Sequence, residues 1–290
     1  MNRLEQMRVL PHEWAFGVVW AVSLGGLTWR SGVFARDSVV FLALLVSGAG
    51  LIWWSQRGAG EWPWRLRLWF YPLAMNVTYF TLRTTAPVIT PVRKDTLLQQ
   101  LDATLVGGNL SLRLEPLAQP WLTDVMSFAY TIFFPYLLVS WVYYHRAGLP
   151  LMKRFFTGFF TIYGVGFLGY LFVPAQGPVF DPSLSAQFTG PLLGGWMSTL
   201  NTRIVTEGCN RVDCFPSLHC AISCFVLCFD WRHARGRFWL YLGPCLALWA
   251  ATIYLRYHYL VDIIAGLTLT AITLWGLNRL AKENHEPPRV

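Results

Sequence analysis

Long apolar runs dominate the chain, and short basic or Gly/Pro-rich joints separate them. The runs form about eight segments, each close to the ~20 residues that an α-helix needs to cross a bilayer. Their approximate bounds are 14–29, 38–54, 68–82, 121–144, 155–173, 216–231, 238–255 and 258–278. Pro72 lies inside one short run and Pro216 opens another, so six or seven crossings also fit the pattern. The pattern predicts an all-α, polytopic transmembrane helix bundle of about six to eight spans.

Composition agrees with this architecture. Of the 290 residues, 54% are hydrophobic and only 13% are charged, about half the ~25% charged share of a soluble domain. Eight spans would use roughly 160 residues, so no separate soluble domain of useful size fits. Trp53, Trp54 and Trp69 lie near segment ends, as is typical of rings that anchor a helix at the headgroup level.

The distribution of Lys and Arg predicts the orientation of the bundle. With the N-terminus inside, most of the 23 basic residues fall on the inner face: Arg3, Arg8, Arg57, Arg65, Arg67, Arg146, Lys153, Arg154, Arg232, Arg235, Arg237, Arg279, Lys282 and Arg289. We therefore expect a multi-pass protein of the cytoplasmic (inner) membrane with both termini in the cytoplasm. Arg3 and Arg8 lead into the first run without a small-residue cleavage site, so we expect that helix to direct insertion uncleaved. The net charge of +8 then reflects topology and attraction to anionic lipid rather than nucleic-acid binding.

Two outer connections are long enough to carry function. The first, 83–120, contains an amphipathic stretch with apolar residues on one helical face: Leu97, Leu98, Leu101 and Leu105. We expect it to lie along the outer membrane surface, either without chemistry or as a guide for a lipid headgroup. The second, 174–215, is rich in Gly and Pro, and a loop of this length is usually functional or disordered.

These features divide the chain into four parts and its six cysteines into two groups. The parts are N-terminal transmembrane helices 1–94, an outer interfacial segment 95–120, a helical core 121–278 and a cytoplasmic tail 279–290. Four cysteines lie in apolar runs, where we interpret them as small packing residues rather than a metal site: Cys220, Cys224, Cys228 and Cys245. Cys209 and Cys214 lie five positions apart in the second outer loop and are a candidate disulfide if that face is oxidising.

Three ionisable residues inside apolar runs are candidates for chemistry, because charge in a membrane segment is costly. His219 lies near the outer start of the sixth run, and His258 and Asp262 lie at the outer start of the eighth. His258 and Asp262 are four positions apart and share a helical face. A carboxylate that accepts from one ring nitrogen fixes the tautomer and leaves the other as nucleophile or base. Spacing alone also fits a structural His/Asp pair; the depth shared with His219 favours chemistry.

The surrounding residues resemble a known family. Residues 215–219 (Phe-Pro-Ser-Leu-His) and 256–262 (Arg-Tyr-His-Tyr-Leu-Val-Asp), followed by Gly266, look like the second and third motifs of the type 2 phosphatidic acid phosphatase (PAP2) superfamily. Pro-Ser-Leu-His is closer to its inositolphosphorylceramide synthase-like branch than to the phosphatases, which usually carry Pro-Ser-Gly-His. Asp102, Leu105 and Gly107 resemble a short Asp-x-x-Leu-x-Gly signature of that branch.

The resemblance implies a six-helix core and a reaction that needs neither cofactor nor metal. His258, oriented by Asp262, would attack phosphorus and form a phosphohistidine, while His219 would protonate the leaving oxygen and then deprotonate the acceptor. Two positions depart from the family pattern: Val179 follows Gly-Pro where an Arg is common, and Thr252 lies where the third motif usually has its Arg.

Because these two positions lack the Arg of the family pattern, the phosphate ligands are expected among other residues. The candidate phosphate ligands are Arg256, Arg211 and Ser217 with its neighbouring backbone N–H groups. The candidate substrate contacts are Asp102, Gly177, Pro178 and Tyr259.

The expected function is phosphotransfer from a lipid donor to a lipid or glycan acceptor at the outer leaflet. Hydrolysis of a lipid phosphate or polyprenyl diphosphate, with water as acceptor, is the alternative. A transporter or scaffold with a His/Asp network is a third possibility from another class, although transporters often show internal repeats and the sequence shows none. The oligomeric state is left open.

Overall fold

The structure is a computed structural model that describes residues 8–282. Arg3 and the part of the predicted tail after residue 282 lie outside the described residues. Within these residues the only β pairing is a single bridge between Ala175 and Asp213, and helices form the rest of the regular structure. The prediction of an all-α fold is confirmed.

The helices follow one another with short connections except around the second outer loop. In chain order they are α1 (Pro11–Ser31), α2 (Arg36–Arg57), α3 (Trp62–Ile89), α4 (Asp95–Val106), α5 (Leu110–Leu114), a 3₁₀ turn (Glu115–Leu117), α6 (Pro120–Thr131), α7 (Phe133–Arg146), α8 (Leu149–Phe172), α9 (Pro182–Ser185), α10 (Trp196–Gly208), α11 (Leu218–His233), α12 (Arg235–Tyr254) and α13 (Leu260–Lys282).

All eight predicted apolar runs are helical, and four described segments are long and apolar enough to cross a membrane. These are Arg36–Arg57, Pro120–Arg146, Leu149–Phe172 and Leu260–Leu280. The other four runs form α1, α3, α11 and α12, which are shorter or less apolar than these segments. The chain is therefore a helical membrane bundle, and a count of six to eight spans stays a prediction.

Helix α8 lies at the centre of the bundle, against α1, α3, α11 and α13. Its core is aromatic, since Phe155, Phe156, Phe159 and Phe160 are fully buried. Near its end the packing is closer, because a Cβ at Gly166 would lie 2.5 Å from a methyl carbon of Leu218. A side chain here would push that of Leu218 aside, so this glycine lets α8 pack closely against the start of α11.

The two ends of the bundle carry different residues. At one end, contacts join the start of α3 to residues that are far from it in sequence. Arg65 donates to the carbonyl of His145 (2.9 Å), and Nζ of Lys153 lies 3.4 Å from the ring centre of Trp64. We call this end, which also carries Arg57, the basic end. The opposite end, where α11 and α13 begin, is the site end.

Helix α4 packs against the start of α13 at the site end. Leu98 is buried there, together with Asp95 and Asp102, which share its helical face by spacing. The other leucines of the predicted apolar stripe face outward, and all are exposed: Leu97, Leu101 and Leu105. The stripe is therefore divided between core and surface, and the predicted interfacial location of 95–120 stays a prediction.

Candidate active site

The starts of α11 and α13 meet at the site end. The backbone N–H of Ser217 donates to the carbonyl of Asp262 (3.0 Å), and a Cβ at Gly266 would lie 2.5 Å from the carbonyl oxygen of Ser217. Only a glycine at 266 allows this approach. As a result the rings of His219 and His258 lie 6.1 Å apart between centres.

His258 is buried and held from both its backbone and its ring. Its N–H donates to the carbonyl of Thr252 (3.1 Å), which fixes the loop that follows α12. Its Nδ1 lies 3.3 Å from Oδ2 of Asp262. The structure thus brings together the pair that the spacing predicts, and the pairing leaves Nε2 of His258 for a reacting atom.

Asp262 has a third partner that the sequence did not suggest. Besides His258, its Oδ2 accepts from the N–H of Tyr259 (2.8 Å) and from Sγ of Cys214 (2.9 Å). Burial is the main cause that raises the pKa of the Cys214 thiol well above its usual range, and the neighbouring Asp262 carboxylate adds to the shift. The thiol therefore stays protonated and donates. Cys214 is close to Asp262 only in space, so no local sequence signal could have found it.

The predicted disulfide between Cys209 and Cys214 is wrong for this structure, in which both are free thiols. Cys214 is buried against Asp262, whereas Sγ of Cys209 lies 3.6 Å from Oδ1 of Asp213. Each sulfur has a carboxylate partner of its own, and the loop is braced by these contacts.

Three side chains at the centre of the site could hold a metal ion. One ligand atom from each of Cys214, His258 and Asp262 lies within 4.8 Å of the others. Coordination would need the thiolate of Cys214, whereas in the structure this thiol donates a hydrogen bond to Oδ2 of Asp262 (2.9 Å).

His219 lies among aromatic rings contributed by α6 and α7. Its Nδ1 is 3.4 Å from the hydroxyl of Tyr130, and its ring centre is 4.6 Å from that of Tyr130 and 4.8 Å from that of Phe133. The contact at Nδ1 leaves Nε2 for proton transfer. The sequence missed Tyr130 and Phe133 because aromatic residues are frequent throughout the apolar runs.

The hydroxyl and the N–H of Ser217 are both used in internal hydrogen bonds, so Ser217 is not free to bind a phosphate. It is fully buried, its hydroxyl accepts from the N–H of Cys220 (3.5 Å), and its own N–H is taken by Asp262. The N–H groups of Leu218 and His219 follow it in the first turn of α11. Neither has an acceptor among the described residues, so these two amides are the better anion ligands at this helix start.

The two predicted arginine ligands differ in how far they are engaged. Arg256 donates to the carbonyl of Gly190 (2.8 Å) and to Oε1 of Glu115 (3.0 Å), and its guanidinium lies over the ring of Phe188. Burial is the main cause that lowers the pKa of Arg256, although Glu115 opposes the shift.

Arg211 is less constrained. Its guanidinium carbon lies 3.5 Å from the ring centre of Phe180, and it forms no ion pair with a described residue. Its charge is therefore the more available of the two for a phosphate.

We call residues 255–259, which join α12 to α13 and carry His258, the catalytic loop. Two predicted substrate contacts are buried supports of this loop and of the start of α13. Asp102 accepts from the N–H groups of Leu260 and Val261, both at 2.9 Å, and so caps the start of α13. Tyr259 is fully buried, and its hydroxyl lies 3.2 Å from Oδ1 of Asp95. Neither side chain is placed to touch a substrate, which corrects that prediction.

Gly177 and Pro178 lie in a turn that packs against the same loop. Asp95, which the sequence did not single out, accepts from the N–H of Gly177 (3.0 Å). Gly177 has a positive φ of 87°, and an added Cβ would overlap the carbonyl of Tyr257. The turn therefore needs glycine to approach the residue before His258, and Pro178 continues it.

A cavity of about 160 Å³ lies beside the catalytic loop, between α6, α10 and residues 255–257. Arg256 and Tyr257 form one side. A wider groove of about 470 Å³ runs along α10 and shares Ser198 and Thr202 with the cavity. The cavity therefore borders an open groove.

Comparison with known proteins identifies one family. A family model described as the PAP2 superfamily matches residues 96–276, a range that includes His219, His258 and Asp262. No curated protein and no solved structure matches the chain.

Proposed function

The chain belongs to the PAP2 superfamily, and from this premise we propose that it is an integral-membrane lipid phosphotransferase that works through a phosphohistidine on His258. The observation that carries the proposal is the pairing of His258 with Asp262 (3.3 Å) in front of a second imidazole, His219. A nucleophile, its orienting carboxylate and a separate acid–base group are the parts that covalent catalysis requires.

In the first half of the proposed reaction, Nε2 of His258 attacks the phosphorus of a lipid donor. The bond from phosphorus to the leaving oxygen breaks, and His219 supplies the proton that this oxygen needs. Asp262 stabilises the imidazolium of His258, as the carboxylate of a catalytic triad does. The N–H groups of Leu218 and His219, with Arg211, would hold the phosphoryl oxygens, and such donors typically contribute about 10²–10³ in kcat.

The second half of the reaction decides between transfer and hydrolysis. Water needs only access to the phosphohistidine, whereas a larger acceptor needs a place to bind. The cavity beside Tyr257, of about 160 Å³, and the Pro-Ser-Leu-His motif that resembles the synthase-like branch both support transfer to a lipid or glycan hydroxyl. Hydrolysis of a lipid phosphate or diphosphate is the alternative that the first experiment tests.

The proposed orientation places the site end at the periplasmic or exterior face of the cytoplasmic membrane. Its support is the concentration of cations at the opposite end, where Arg57, Arg65, Arg146, Lys153 and Arg154 lie near helix ends. Cytoplasmic connections carry an excess of such residues. The substrate would then be drawn from the outer leaflet.

Product analysis with the purified protein in liposomes tests the proposal. Labelled lipid phosphates, phosphodiesters and diphosphates are offered with and without an acceptor lipid or sugar, to wild type, His258→Ala and His219→Ala. We expect an acid-labile labelled protein and a new phosphorylated product, both absent from His258→Ala. His258-dependent release of inorganic phosphate alone would establish a phosphatase. Loss of gradient-driven flux in His258→Ala, without any phosphorus chemistry in wild type, would favour a transporter.

A further inference from the structure

The two histidines of the site are held by different kinds of group. His258 has a carboxylate beside Nδ1, since Oδ2 of Asp262 lies 3.3 Å away. His219 has a phenol in the same place, since the hydroxyl of Tyr130 lies 3.4 Å from its Nδ1. Within residues 8–282, neither the His219 ring nor the Tyr130 hydroxyl forms another hydrogen bond. Tyr130 is therefore the residue that sets the polar surroundings of Nδ1 of His219.

Aromatic contacts fix the His219 ring against this phenol. Tyr130 is buried, and its ring is tilted by 32° from that of His219, with 4.6 Å between the two centres. Phe133, three positions further along the chain, lies 4.8 Å from the same imidazole. Two rings from one segment thus hold His219 with its Nδ1 at the Tyr130 hydroxyl.

The second outer loop braces Tyr130 from another side. The Tyr130 ring meets that of Tyr257 edge-on, at 63° and 4.9 Å between centres. The Tyr257 hydroxyl accepts from Nδ2 of Asn201 in α10 (2.8 Å), and Oδ1 of Asn201 accepts from Thr131 (3.2 Å), which follows Tyr130 in the chain. Because Tyr257 immediately precedes His258, these contacts fix the phenol relative to both histidines.

The proposed reaction needs one particular form of neutral His219. After Nε2 gives its proton to the leaving oxygen, the other ring proton must stay on Nδ1, because Nε2 has to accept the next proton. A neutral imidazole carries its proton on either nitrogen, and the hydrogen bond at one nitrogen selects the tautomer. An oxygen that accepts from Nδ1 therefore selects the productive tautomer. The contact of 3.4 Å is long for a hydrogen bond, and we expect it to shorten when a substrate engages Nε2.

A neutral partner suits proton transfer better than a charged one. A carboxylate beside an imidazole stabilises the protonated ring, which is the role proposed for Asp262 at His258. A phenol accepts a hydrogen bond without supplying a negative charge, so it does not hold the proton of His219 in this way. The two rings are 6.1 Å apart, and two protonated imidazoles at this distance would repel each other. The difference between the partners thus matches a nucleophile on one ring and an acid–base group on the other.

We propose that Tyr130 is a positioning residue for His219, whose Nδ1 proton it accepts in a hydrogen bond so that Nε2 faces the reacting oxygens. The inference rests on the proposed phosphotransferase function. In the first half, Nε2 of His258 bonds to phosphorus, the bond to the leaving oxygen breaks, and that oxygen takes the proton from Nε2 of His219. In the second half, the acceptor oxygen bonds to phosphorus and gives its proton to Nε2 of His219. The bond from phosphorus to His258 breaks, its electron pair returns to Nε2, and Nδ1 of His219 keeps its proton throughout.

The first test removes only the phenol oxygen. Tyr130→Phe keeps the ring, and its matched control, Tyr163→Phe, deletes a phenol of α8 that has no hydrogen bond to a described residue. The rate of a single round of His258 labelling is measured with dodecyl phosphate, whose basic leaving oxygen needs a proton, and with para-nitrophenyl phosphate, whose weakly basic leaving oxygen does not.

We expect Tyr130→Phe to lower the rate with dodecyl phosphate about threefold to tenfold, the range for one neutral hydrogen bond. The rate with para-nitrophenyl phosphate should stay almost unchanged, and Tyr163→Phe should change neither rate. Equal loss with both donors would mean that Tyr130 serves packing alone, which overturns the inference. Unchanged rates with both donors would overturn it as well.

The second test observes the tautomer without any turnover. Nitrogen NMR of the histidine rings is recorded in detergent, and the His219 signals are assigned by their loss in His219→Gln. Wild type and Tyr163→Phe should carry the neutral proton of His219 on Nδ1, whereas Tyr130→Phe should show a mixture of both tautomers. A proton on Nε2 in wild type, or the same spectrum in Tyr130→Phe, would contradict the inference. If His258 is labelled in none of these proteins, the phosphotransferase proposal fails, and the NMR result still decides the role of Tyr130.

Discussion

The two ends of the bundle use buried charge in opposite ways. At the basic end, Glu13 and Arg67 are both fully buried and form an ion pair in which Nε of Arg67 donates to Oε1 of Glu13 (2.6 Å). Nη2 of Arg67 also donates to Oε2 of Glu13 and to the carbonyl of Arg8 (2.7 Å), and its Nη1 donates to Ser55 (3.0 Å). This cluster ties α1, α2 and α3 together, and both carboxylate oxygens of Glu13 are used in it.

Asp230 forms a second cluster of the same kind at the basic end. Its carboxylate accepts from the hydroxyls of Tyr136 and Tyr144 and from Nε of Arg237 (3.2 Å), which in turn donates to Ser140 (2.6 Å). The cluster joins α7 to α11 and α12. His12 is the exception at this end, because it is fully buried and neither ring nitrogen has a partner among the described residues.

At the site end the equivalent groups are only partly paired. Oδ2 of Asp262 has three donors, but its Oδ1 has none in the described part of the chain. The N–H groups of Leu218 and His219, at the start of α11, likewise have no acceptor among the described residues. The satisfied carboxylates of Glu13 and Asp230 therefore hold helices together, whereas Asp262 and the first amides of α11 keep unpaired atoms beside the two histidines, where a ligand would complete the structure.

The same substitution at both ends should give opposite results, and this is the largest effect that we expect. Asp262→Asn should lower kcat about 10⁴-fold, as loss of a triad carboxylate does, with the protein still folded. Asp230→Asn should lower the free energy of unfolding by about 3–5 kcal/mol, because it leaves Arg237 without its counter-charge, while the folded fraction keeps its activity. Steady-state kinetics measures kcat, and unfolding in detergent measures stability, for both variants. A stable, active Asp262→Asn protein would mean that the His/Asp pair is only structural.

Removing the buried carboxylate of α1 tests the basic end alone. Glu13→Gln should destabilise the protein by about 3–5 kcal/mol, because Arg67 would remain buried without a counter-charge. The matched control is Glu207→Gln, which breaks the exposed pair with Arg203 and should cost at most ~1 kcal/mol. Thermal unfolding of the three proteins in one detergent provides the measurement. Equal melting temperatures would show that this pair does not hold the helices.

Asp102 connects stability and chemistry at the site end. Asp102→Ala removes the cap of α13 and should cost about 0.5–2 kcal/mol of unfolding free energy. Because Leu260 and Val261, whose N–H groups it holds, immediately precede Asp262, kcat should fall while the KM for the donor stays constant. Asp102→Asn, which keeps one acceptor oxygen, should recover part of kcat. A raised KM with unchanged kcat would instead support the substrate contact that the sequence suggested.

The sequence predicted the parts of the site that depend on local spacing. His258 and Asp262 are four positions apart and meet as predicted, although His258 lies in the loop before α13 and only Asp262 lies on the helix. The apolar runs predicted the helices. The contacts that surround the pair join distant segments: Cys214 to Asp262, Asp102 to Leu260, and Tyr130 to His219. No periodicity encodes these, because they depend on how the helices pack.

The disulfide prediction failed for the same reason. Cys209 and Cys214 are close along the chain, and sequence proximity suggested a bond. Packing instead buries Cys214 beneath the catalytic loop, with Asp262 as its acceptor, and leaves Cys209 beside Asp213. The spacing of two cysteines does not reveal which other acceptor the fold brings to either sulfur.

Cys214 should give the smallest effect, because its thiol is the side chain that supports Oδ2 of Asp262 alongside His258 without being a candidate catalytic group itself. Cys214→Ala should lower kcat about twofold to tenfold, the range for loss of one hydrogen bond, whereas Cys214→Ser keeps a donor and should lie closer to wild type. Cys245→Ala, a buried cysteine in α12, is the control for lost packing.

Because both loop thiols are free, dithiothreitol should leave the wild-type rate unchanged. If dithiothreitol inactivated the wild-type protein and Cys209→Ala were inactive to the same degree, the loop would depend on a disulfide after all.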